Sequence, residues 1–486
     1  MNINIGLADI LLVSPMIALF LTSLVPLTVK VLRGNREQSP IITLSQALIG
    51  IVVSIGLLMV FGGAGKTAFN NGLIFDGVTQ WMGGIALVAA GVSMIMMYEN
   101  PATKGKQFSE LIFLAMSSAV GMLILVSAVD LLMVFIGLEM MSLSLYLMIA
   151  MSHEEKLSKE AALKYFILGS FASAIFLYGV AFIFGSTGGT NILGFMENAA
   201  DLIQTSRLFL FGMAFVILGF CFKVSIAPFH AWTPDVYQGA PTPHTAFMAT
   251  AVKAVSFAAF LRVIATKSLI GSDHLFDMLQ WLAVITMIVG NTAAILQNNL
   301  KRMIAYSSIS HSGYVLVGVI TAGVSDNGAF GASGVIFYLL SYALMTLGAF
   351  AIASMLEKSE NHIVNIDDLA GFAKQRPMLA LCLTVFLLSL AGIPPTLGFF
   401  GKFYLFNAAI GEGLLWLAIW AFINSVIAVY YYLRPIVVMY MKEGNAEIAP
   451  HPLNATTVTV ITMAVAIILM GFVSGPLFAA VEKSLM

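Results

Sequence analysis

The sequence predicts an all-α polytopic membrane protein with about 14 transmembrane helices. Hydrophobic residues make up 59% of its 486 residues and charged residues only 10%, whereas soluble domains carry about 25% charged residues. The mean hydropathy of the chain is +0.95. This composition excludes an ordinary soluble protein and makes the lipid bilayer an expected partner.

Apolar segments of membrane-spanning length give the predicted helices in order. A transmembrane helix needs roughly 20 mostly apolar residues. The predicted spans cover approximately residues 9–30, 41–62, 78–98, 109–127, 130–151, 161–186, 208–238, 243–265, 274–295, 301–322, 330–356, 377–411, 415–440 and 456–480. The first span has no positively charged segment before it, so we expect it to be retained and not cleaved as a signal peptide.

Lysine and arginine residues concentrate in the connections on one side of the predicted bundle, for example Lys30, Arg33 and Arg36 after the first span. The positive-inside rule places these connections in the cytoplasm. Because the number of spans is even, both the N-terminus and the C-terminus are predicted on the periplasmic side. The chain length and the lack of a transit peptide favour a bacterial inner membrane over an organelle.

Two predicted spans contain proline in their middle. Pro228 follows Lys223 in the seventh span, and Pro394 and Pro395 precede Lys402 in the twelfth. Proline removes an amide donor and interrupts the helix. In lipid, the freed carbonyl groups must be satisfied by protein or water. We therefore predict discontinuous helices 7 and 12 with a polar, hydrated neighbourhood.

The similar placement of these breaks indicates an internal repeat of five helices. Five is an odd number, so two such repeats would be inverted in the membrane, as in many transporters. The predicted domains are an N-terminal three-helix segment at 1–107, repeats at 108–266 and 267–440, and a C-terminal helix at 441–486.

Ionisable side chains inside the apolar spans are the candidate functional residues. Glu139, Lys223, Lys253 and Lys402 each lie within a predicted span. A lysine at the centre of a membrane helix costs about 2.5–3.5 kcal/mol on insertion scales, so such groups usually mark a proton or ion path. His311 joins them, because an imidazole relays protons near neutral pH.

Each candidate also has a structural explanation. Glu139 and Lys223 would lock two helices together if they formed a permanent ion pair. Lys402 would reach the outer interface if its long side chain snorkelled. The serine residues around His311 would serve helix packing.

The first helix break is followed by three polar or aromatic side chains, His230, Trp232 and Asp235. Capping of the break and a functional role explain them equally well. The cysteines, Cys221 and Cys382, both lie in apolar segments, so neither a disulfide framework nor a cysteine-ligated cluster is indicated. No nucleotide-binding motif is present, and the net charge of −1 gives no reason to expect a nucleic-acid partner. We therefore expect the energy for transport to come from outside this chain.

Three segments carry a resemblance to a known family: FKVSIAPFHAWTPDVYQGAPTPHTAFMATAVKA, LKRMIAYSSISHSGY and LAGIPPTLGFFGKFY. They resemble the antiporter-like membrane subunits of proton-pumping NADH:quinone oxidoreductase, respiratory complex I. Within that family, WTPDVYQGAPTP and the lysine of GFFGKFY are most similar to the subunit N group.

The resemblance implies a proton-transfer role for five positions. Glu139 matches the glutamate of span 5, Lys223 the lysine paired with it, and Lys253 the connecting lysine of span 8. His311 matches the central hydrophilic axis, and Lys402 matches the lysine of the terminal half-channel.

The resemblance also implies partners and cofactors. The partners are other membrane subunits of complex I, including neighbouring antiporter-like subunits. This chain is expected to hold no cofactor, whereas NADH, FMN, iron–sulfur clusters and quinone are expected on partner subunits. His244 departs from the family pattern, because a small or branched apolar residue is expected there.

These observations lead to one hypothesis and two alternatives. An acidic neighbour favours the protonated form of a buried lysine, and its removal favours the neutral amine. Redox chemistry in partner subunits would therefore drive protons along the buried axis from inside to outside, making the chain a translocase subunit without a redox centre. The alternatives are an Mrp-type cation/proton antiporter subunit and a non-conducting structural membrane subunit.

Overall fold

The structure, a computed structural model, describes residues 6–63, 65–103, 107–151, 156–265, 269, 273–325, 328–357, 364–444 and 454–486. Helices make up most of the described chain. The first group comprises α1 (Leu7–Leu12), α2 (Ser14–Leu32), α3 (Pro40–Phe61), α4 (Gly77–Glu99), α5 (Phe108–Ser127), α6 (Leu131–Ala150) and α7 (Lys156–Thr187). The second comprises α8 (Ile192–Met196), α9 (Ala199–Thr205), α10 (Arg207–Lys223), α11 (Trp232–Gly239) and α12 (Thr242–Ile264).

The remaining helices are α13 (Asp273–Ile295), α14 (Leu300–Val324), α15 (Ala329–Leu356), α16 (Phe372–Gln375), α17 (Pro377–Ala391), α18 (Leu397–Gly411), α19 (Leu415–Met441), α20 (Ala455–Phe472) and α21 (Ser474–Leu485). A 3₁₀ turn at Ile366–Leu369 precedes α16. In the described residues, twelve helices are long and apolar enough to cross a membrane. They correspond to the predicted continuous spans.

The seventh and twelfth spans are interrupted, as predicted. Helix α10 ends at Lys223, a series of turns follows, and α11 begins at Trp232. Helix α17 ends at Ala391, Gly392 has a φ angle of +85°, and α18 begins at Leu397. Both breaks contain the prolines that the sequence analysis identified. The all-α polytopic fold class with two discontinuous helices is therefore confirmed.

Two features differ from the sequence prediction. A two-stranded antiparallel hairpin, β1 (Lys66–Ala68) and β2 (Leu73–Phe75), lies between α3 and α4. Its turn uses Asn70 and Asn71 with positive φ angles, a conformation that asparagine tolerates well. The first and the last predicted spans are each two helices, which meet at Val13 and at Val473. Such short elements carry little periodic signal in the sequence.

The connections between helices group at two faces. Bridges join Leu73 to Ala128 and Asp130 to Asn191, so the connections 62–76, 128–130 and 188–206 share one face, here called the terminal face. A third bridge joins Asn299 to Asn365 at the other end, here called the basic face. This alternation agrees with the predicted topology. The periplasmic assignment of the terminal face stays a prediction.

Three helices form the buried centre of the molecule. Almost all residues of α12, α14 and α15 are buried, whereas α2, α3, α7 and α19 expose large apolar side chains along one side. The central helices carry Lys253 and His311. The division into repeats stays a prediction, and its boundary between residues 266 and 267 lies outside the described residues.

An ion pair ties the centre of the bundle to the terminal face. The Arg262 guanidinium donates to both oxygens of Asp76, at 2.8 and 2.5 Å, and to the Val126 carbonyl and Thr79 hydroxyl at 2.9 Å each. Burial alone would raise the pKa of Asp76, but the Arg262 charge and the hydrogen bonds from Arg262 and Thr79 hold that pKa below its usual value.

Replacing Arg262 by alanine leaves the Asp76 carboxylate without its main donors. We expect a loss of about 2–3 kcal/mol of stability, because hydrogen bonds to charged groups contribute about 1.5–3 kcal/mol each and this pair is partly exposed. The measurement is a thermal precipitation curve. The detergent-purified complex is heated, and the temperature is recorded at which this chain is lost from solution. Lys66→Ala, an exposed charge change in the neighbouring hairpin, should leave that temperature unchanged.

The same ion pair predicts a pH dependence. Because the pKa of Asp76 is lowered in the folded state, its contribution is complete above the usual aspartate pKa and is lost as the pH falls through the lowered value. The stability difference between the wild type and Asp76→Asn should therefore stay constant between about pH 8 and 5 and shrink below about pH 4. A difference that grows as the pH falls would contradict this assignment.

Candidate proton-transfer axis

Lys223 ends α10 inside the protein, next to the first helix break. Its side chain is buried, and its Nζ atom lies 2.6 Å from the Ser142 hydroxyl on α6. The same atom lies 5.8 Å from the ring centroids of both Tyr146 and Tyr165. The electron-rich ring faces stabilise the ammonium group where no water is present.

Glu139 does not form the predicted direct pair with Lys223. Among the ion pairs of the described residues, none joins these two side chains, and Ser142 occupies the position of the nearest acceptor. Glu139 Oε1 is buried without a hydrogen-bond partner in the described chain, although the carboxylate acts electrostatically on Lys223. The permanent ion pair of the structural alternative is therefore absent from this conformation.

The break after Lys223 connects to the centre of the bundle through a backbone carbonyl group. The Ser312 hydroxyl lies 2.6 Å from the Val224 oxygen and 3.1 Å from the Ser308 oxygen. The Lys253 amine donates to that Ser308 oxygen at 2.7 Å and also to the Ser308 hydroxyl. Serines that seemed suited to helix packing therefore connect the Lys253 amine to the backbone of the first break.

His311 lies at the centre of a group of tyrosines. Its Nδ1 atom is 2.5 Å from the Tyr338 hydroxyl and its Nε2 atom is 2.9 Å from the Tyr432 hydroxyl. Its ring centroid lies 5.0 Å from that of Tyr342, which in turn lies 5.9 Å from the Lys253 nitrogen. The imidazole is therefore connected on both sides to groups that can donate and accept protons.

A second polar group continues from His311 towards Lys402. The Tyr431 hydroxyl donates to the Asn291 side chain at 2.9 Å, and Asn291 lies 3.4 Å from the Tyr314 hydroxyl. The Tyr314 ring centroid lies 5.2 Å from the Lys402 nitrogen. The sequence analysis did not identify Tyr338, Tyr342, Tyr431 or Tyr432. Their signal was the occurrence of several tyrosines on the long, mostly apolar helices α15 and α19.

Lys402 is buried and turns towards the second helix break. Its amine donates to the last carbonyls of α17, Leu390 at 3.0 Å and Ala391 at 2.9 Å, and to the Ser425 hydroxyl at 2.8 Å. A cation is stabilised at the carboxyl end of a helix, where carbonyl groups lack helical partners. The snorkelling alternative is therefore wrong for Lys402.

Residues after the first break mostly anchor it. The Trp232 ring is stacked against Tyr165 with centroids 4.7 Å apart, and its Nε1 atom donates to the Phe222 carbonyl at 3.1 Å. Asp235 forms ion pairs with Lys164 at 2.9 Å and with Arg302 of α14 at 2.7 Å. His230 is half-buried, and its Nδ1 atom has no partner among the described residues.

Comparisons with known proteins agree with this architecture. The family described as "NADH:quinone oxidoreductase/Mrp antiporter, TM" matches residues 128–428. A relative from Bdellovibrio bacteriovorus, "NADH-quinone oxidoreductase subunit N", is 86% identical over 486 residues and covers 100% of both chains. This chain belongs to the family of NADH-quinone oxidoreductase membrane subunits.

Solved structures show the same fold. A chain of respiratory complex I from Thermus thermophilus, with bound aureothin, is 31% identical, with a TM-score of 0.82 and coverage of 96% of this chain and 99% of that one. A chain of the Mrp complex from Dietzia sp. DQ12-45-1b is 19% identical, with a TM-score of 0.81 and coverage of 99% and 97%. The second likeness concerns the fold alone.

Gly392 offers a test of the Lys402 geometry. A Cβ atom at this residue would lie 2.9 Å from the Lys402 Cδ atom and 3.2 Å from its Nζ atom, and the φ angle of +85° disfavours any other residue. We expect Gly392→Ala to displace Lys402 from the α17 carbonyls and to cost about 1–2 kcal/mol in backbone strain alone.

The measurement combines thermal stability of the assembled complex with NADH-driven proton uptake into inside-out vesicles. Both should fall in Gly392→Ala. The matched control is Gly411→Ala at the end of α18, where nothing lies within 4 Å of an added Cβ atom. Equal behaviour of the two variants would show that Lys402 does not depend on this contact.

Proposed function

We propose that this chain is a proton-translocating membrane subunit of NADH:quinone oxidoreductase in a bacterial inner membrane. The observation that carries the proposal is the buried series of amines, hydroxyls and one imidazole between Lys223 and Lys402. Ionisable groups at membrane depth are costly, so such a series points to charge movement. The 86% identical relative bears the name of this enzyme's subunit N.

Protons move along this axis by exchange between neighbouring carriers. A proton leaves Lys223, crosses the first break through water, and reaches Lys253, whose amine is held by Ser308. It then passes the His311 group of tyrosines and reaches Lys402, with Asn291 positioning hydroxyls along the second half. Water molecules fill the gaps that side chains alone do not bridge. Lys402 lies about 13 Å before the end of α18 at the terminal face, so release occurs on that side.

The Glu139 carboxylate controls the first step, the release of a proton from Lys223. When its carboxylate is close, the ammonium form of Lys223 is favoured, and when the two separate, the neutral amine is favoured. In the structure the Lys223 amine contacts the Ser142 hydroxyl, and no ion pair joins it to Glu139 among the described residues. A small movement of α6 against α10 would therefore change the proton affinity of Lys223 and start transfer.

The driving reaction takes place on other subunits. NADH, FMN, iron–sulfur clusters and quinone bind to partner subunits, and this chain holds no redox centre. The neighbouring partners are other membrane subunits of the complex, including antiporter-like ones. This assignment rests on the relatives' names and on the buried axis, and the periplasmic position of both termini rests on the distribution of lysine and arginine.

The decisive experiment replaces Lys223 by alanine in the assembled complex. NADH-driven proton uptake into inside-out vesicles should fall by about tenfold or more, because a positioned proton carrier contributes about 10²-fold or more. Quinone reduction by NADH and the amount of assembled complex are measured on the same membranes. Lys66→Ala, an exposed lysine at the terminal face, is the matched control.

Each other outcome selects an alternative. Unchanged proton uptake with Lys223→Ala would make the buried lysine structural. Loss of the complex from the membrane, together with unaffected pumping in the complexes that remain, would favour a non-conducting scaffold. Sodium flux by the purified chain in liposomes without partners would favour an Mrp-type antiporter subunit, whose fold is the same.

A further inference from the structure

A fully buried histidine without hydrogen-bond partners lies just inside the basic face. His244, in the first turn of α12, has 0% of its surface exposed. Neither of its ring nitrogens has a partner among the described residues. Buried polar atoms in proteins are almost always paired with protein groups or ordered water. The unpaired imidazole therefore indicates a place where water enters the bundle.

An ion pair closes the basic face beside this histidine. Lys301 Nζ lies 2.9 Å from Glu357 Oε1, and both side chains are fully buried. The same amine donates to the Ala240 carbonyl at 2.7 Å, and the Thr242 hydroxyl donates to the same carboxylate. Asn100 donates to the other carboxylate oxygen at 2.7 Å. Residues at the basic ends of α4, α12, α14 and α15 meet in this cluster.

Unpaired polar groups continue from His244 towards the axis. Helices α12 and α15 pack together, with Thr242 and Glu357 joined at one end and Lys253 next to Tyr342 at the other. Between these ends, the buried hydroxyls of Tyr342 and Thr346 make no hydrogen bond of normal length and angle among the described residues. His244 lies about 13 Å before Lys253 along α12. Ordered water molecules would bridge this distance.

We propose that Glu357, Lys301 and His244 form the proton uptake site of this chain on the basic face. The proposal rests on the proton-translocating function argued above and specifies where protons from the basic face join the axis, at Lys253. Once the Lys301–Glu357 pair opens, the Glu357 carboxylate takes a proton from water on the basic face. It passes this proton to the free nitrogen of the neutral His244 ring.

The ring then releases the proton of its other nitrogen through water, past Tyr342, to the neutral amine of Lys253. Glu357 is again a carboxylate and His244 is again neutral, so one proton has entered and one has reached Lys253. A neutral imidazole suits this step because one ring nitrogen accepts while the other donates. Neither Thr242 nor Asn100 could replace it as a carrier, because hydroxyl and amide groups do not take up a proton near neutral pH.

The test measures NADH-driven proton uptake in inside-out vesicles that contain the assembled complex with His244→Val, His244→Gln or Glu357→Gln. All three should slow proton uptake by about tenfold, since water replaces only part of a positioned carrier. Glutamine keeps hydrogen bonds to water but takes up no proton, so normal pumping in His244→Gln would overturn the relay. The matched control is Thr250→Val, which removes a buried hydroxyl of α12 that donates to the Ala246 carbonyl of its own helix.

Two further comparisons make every outcome decisive. Lys223→Ala is measured in parallel. If this variant also pumps normally, the proposed function fails. If Lys223→Ala abolishes pumping while the His244 variants pump normally, only the uptake site is overturned. If neither His244 variant assembles, Glu357→Gln decides, because its carboxamide keeps the shape of the side chain. Wild-type pumping in that variant would exclude proton transfer through Glu357.

Discussion

The structure depends on one constraint: lipid offers no hydrogen bonds, so every backbone carbonyl freed by a helix break must be satisfied by protein groups or by enclosed water. At both breaks, side chains of the candidate proton-transfer axis donate hydrogen bonds to these carbonyls. Lys402 donates to the last carbonyls of α17, and Ser312 donates towards the Val224 carbonyl after α10. Each lysine needs the polar environment that its break provides, and each break needs donors. Stability and transport therefore share the same side chains.

The three axis lysines have no carboxylate within ion-pair distance among the described residues. Neutral oxygen atoms and tyrosine ring faces stabilise them instead. A close carboxylate would hold the proton on the amine, whereas hydroxyls and rings leave the difference between the charged and neutral forms small. The closed and fully buried ion pair, Lys301 with Glu357, lies away from the axis at the basic face. Its position suits a group that separates the aqueous side from the proton path.

Much of the fold follows from composition and proline placement alone. The spans are recognised because bilayer thickness sets their length. The breaks are recognised because proline cannot continue a helix. The β hairpin and the division at Val473 were missed, because elements of a few residues depend on local turn geometry and packing, which leave little periodic pattern.

By itself, the sequence determined that this is a membrane protein with interrupted helices 7 and 12. It also placed five ionisable residues at membrane depth: Glu139, Lys223, Lys253, His311 and Lys402. They stand out because charges are costly in lipid. Only the tertiary structure decided how these residues connect. The Lys223 amine contacts Ser142, tyrosines from α15 and α19 surround His311, and Lys402 turns inward. These contacts join residues far apart in the chain, and helix packing sets them, so no local pattern in the sequence could reveal them.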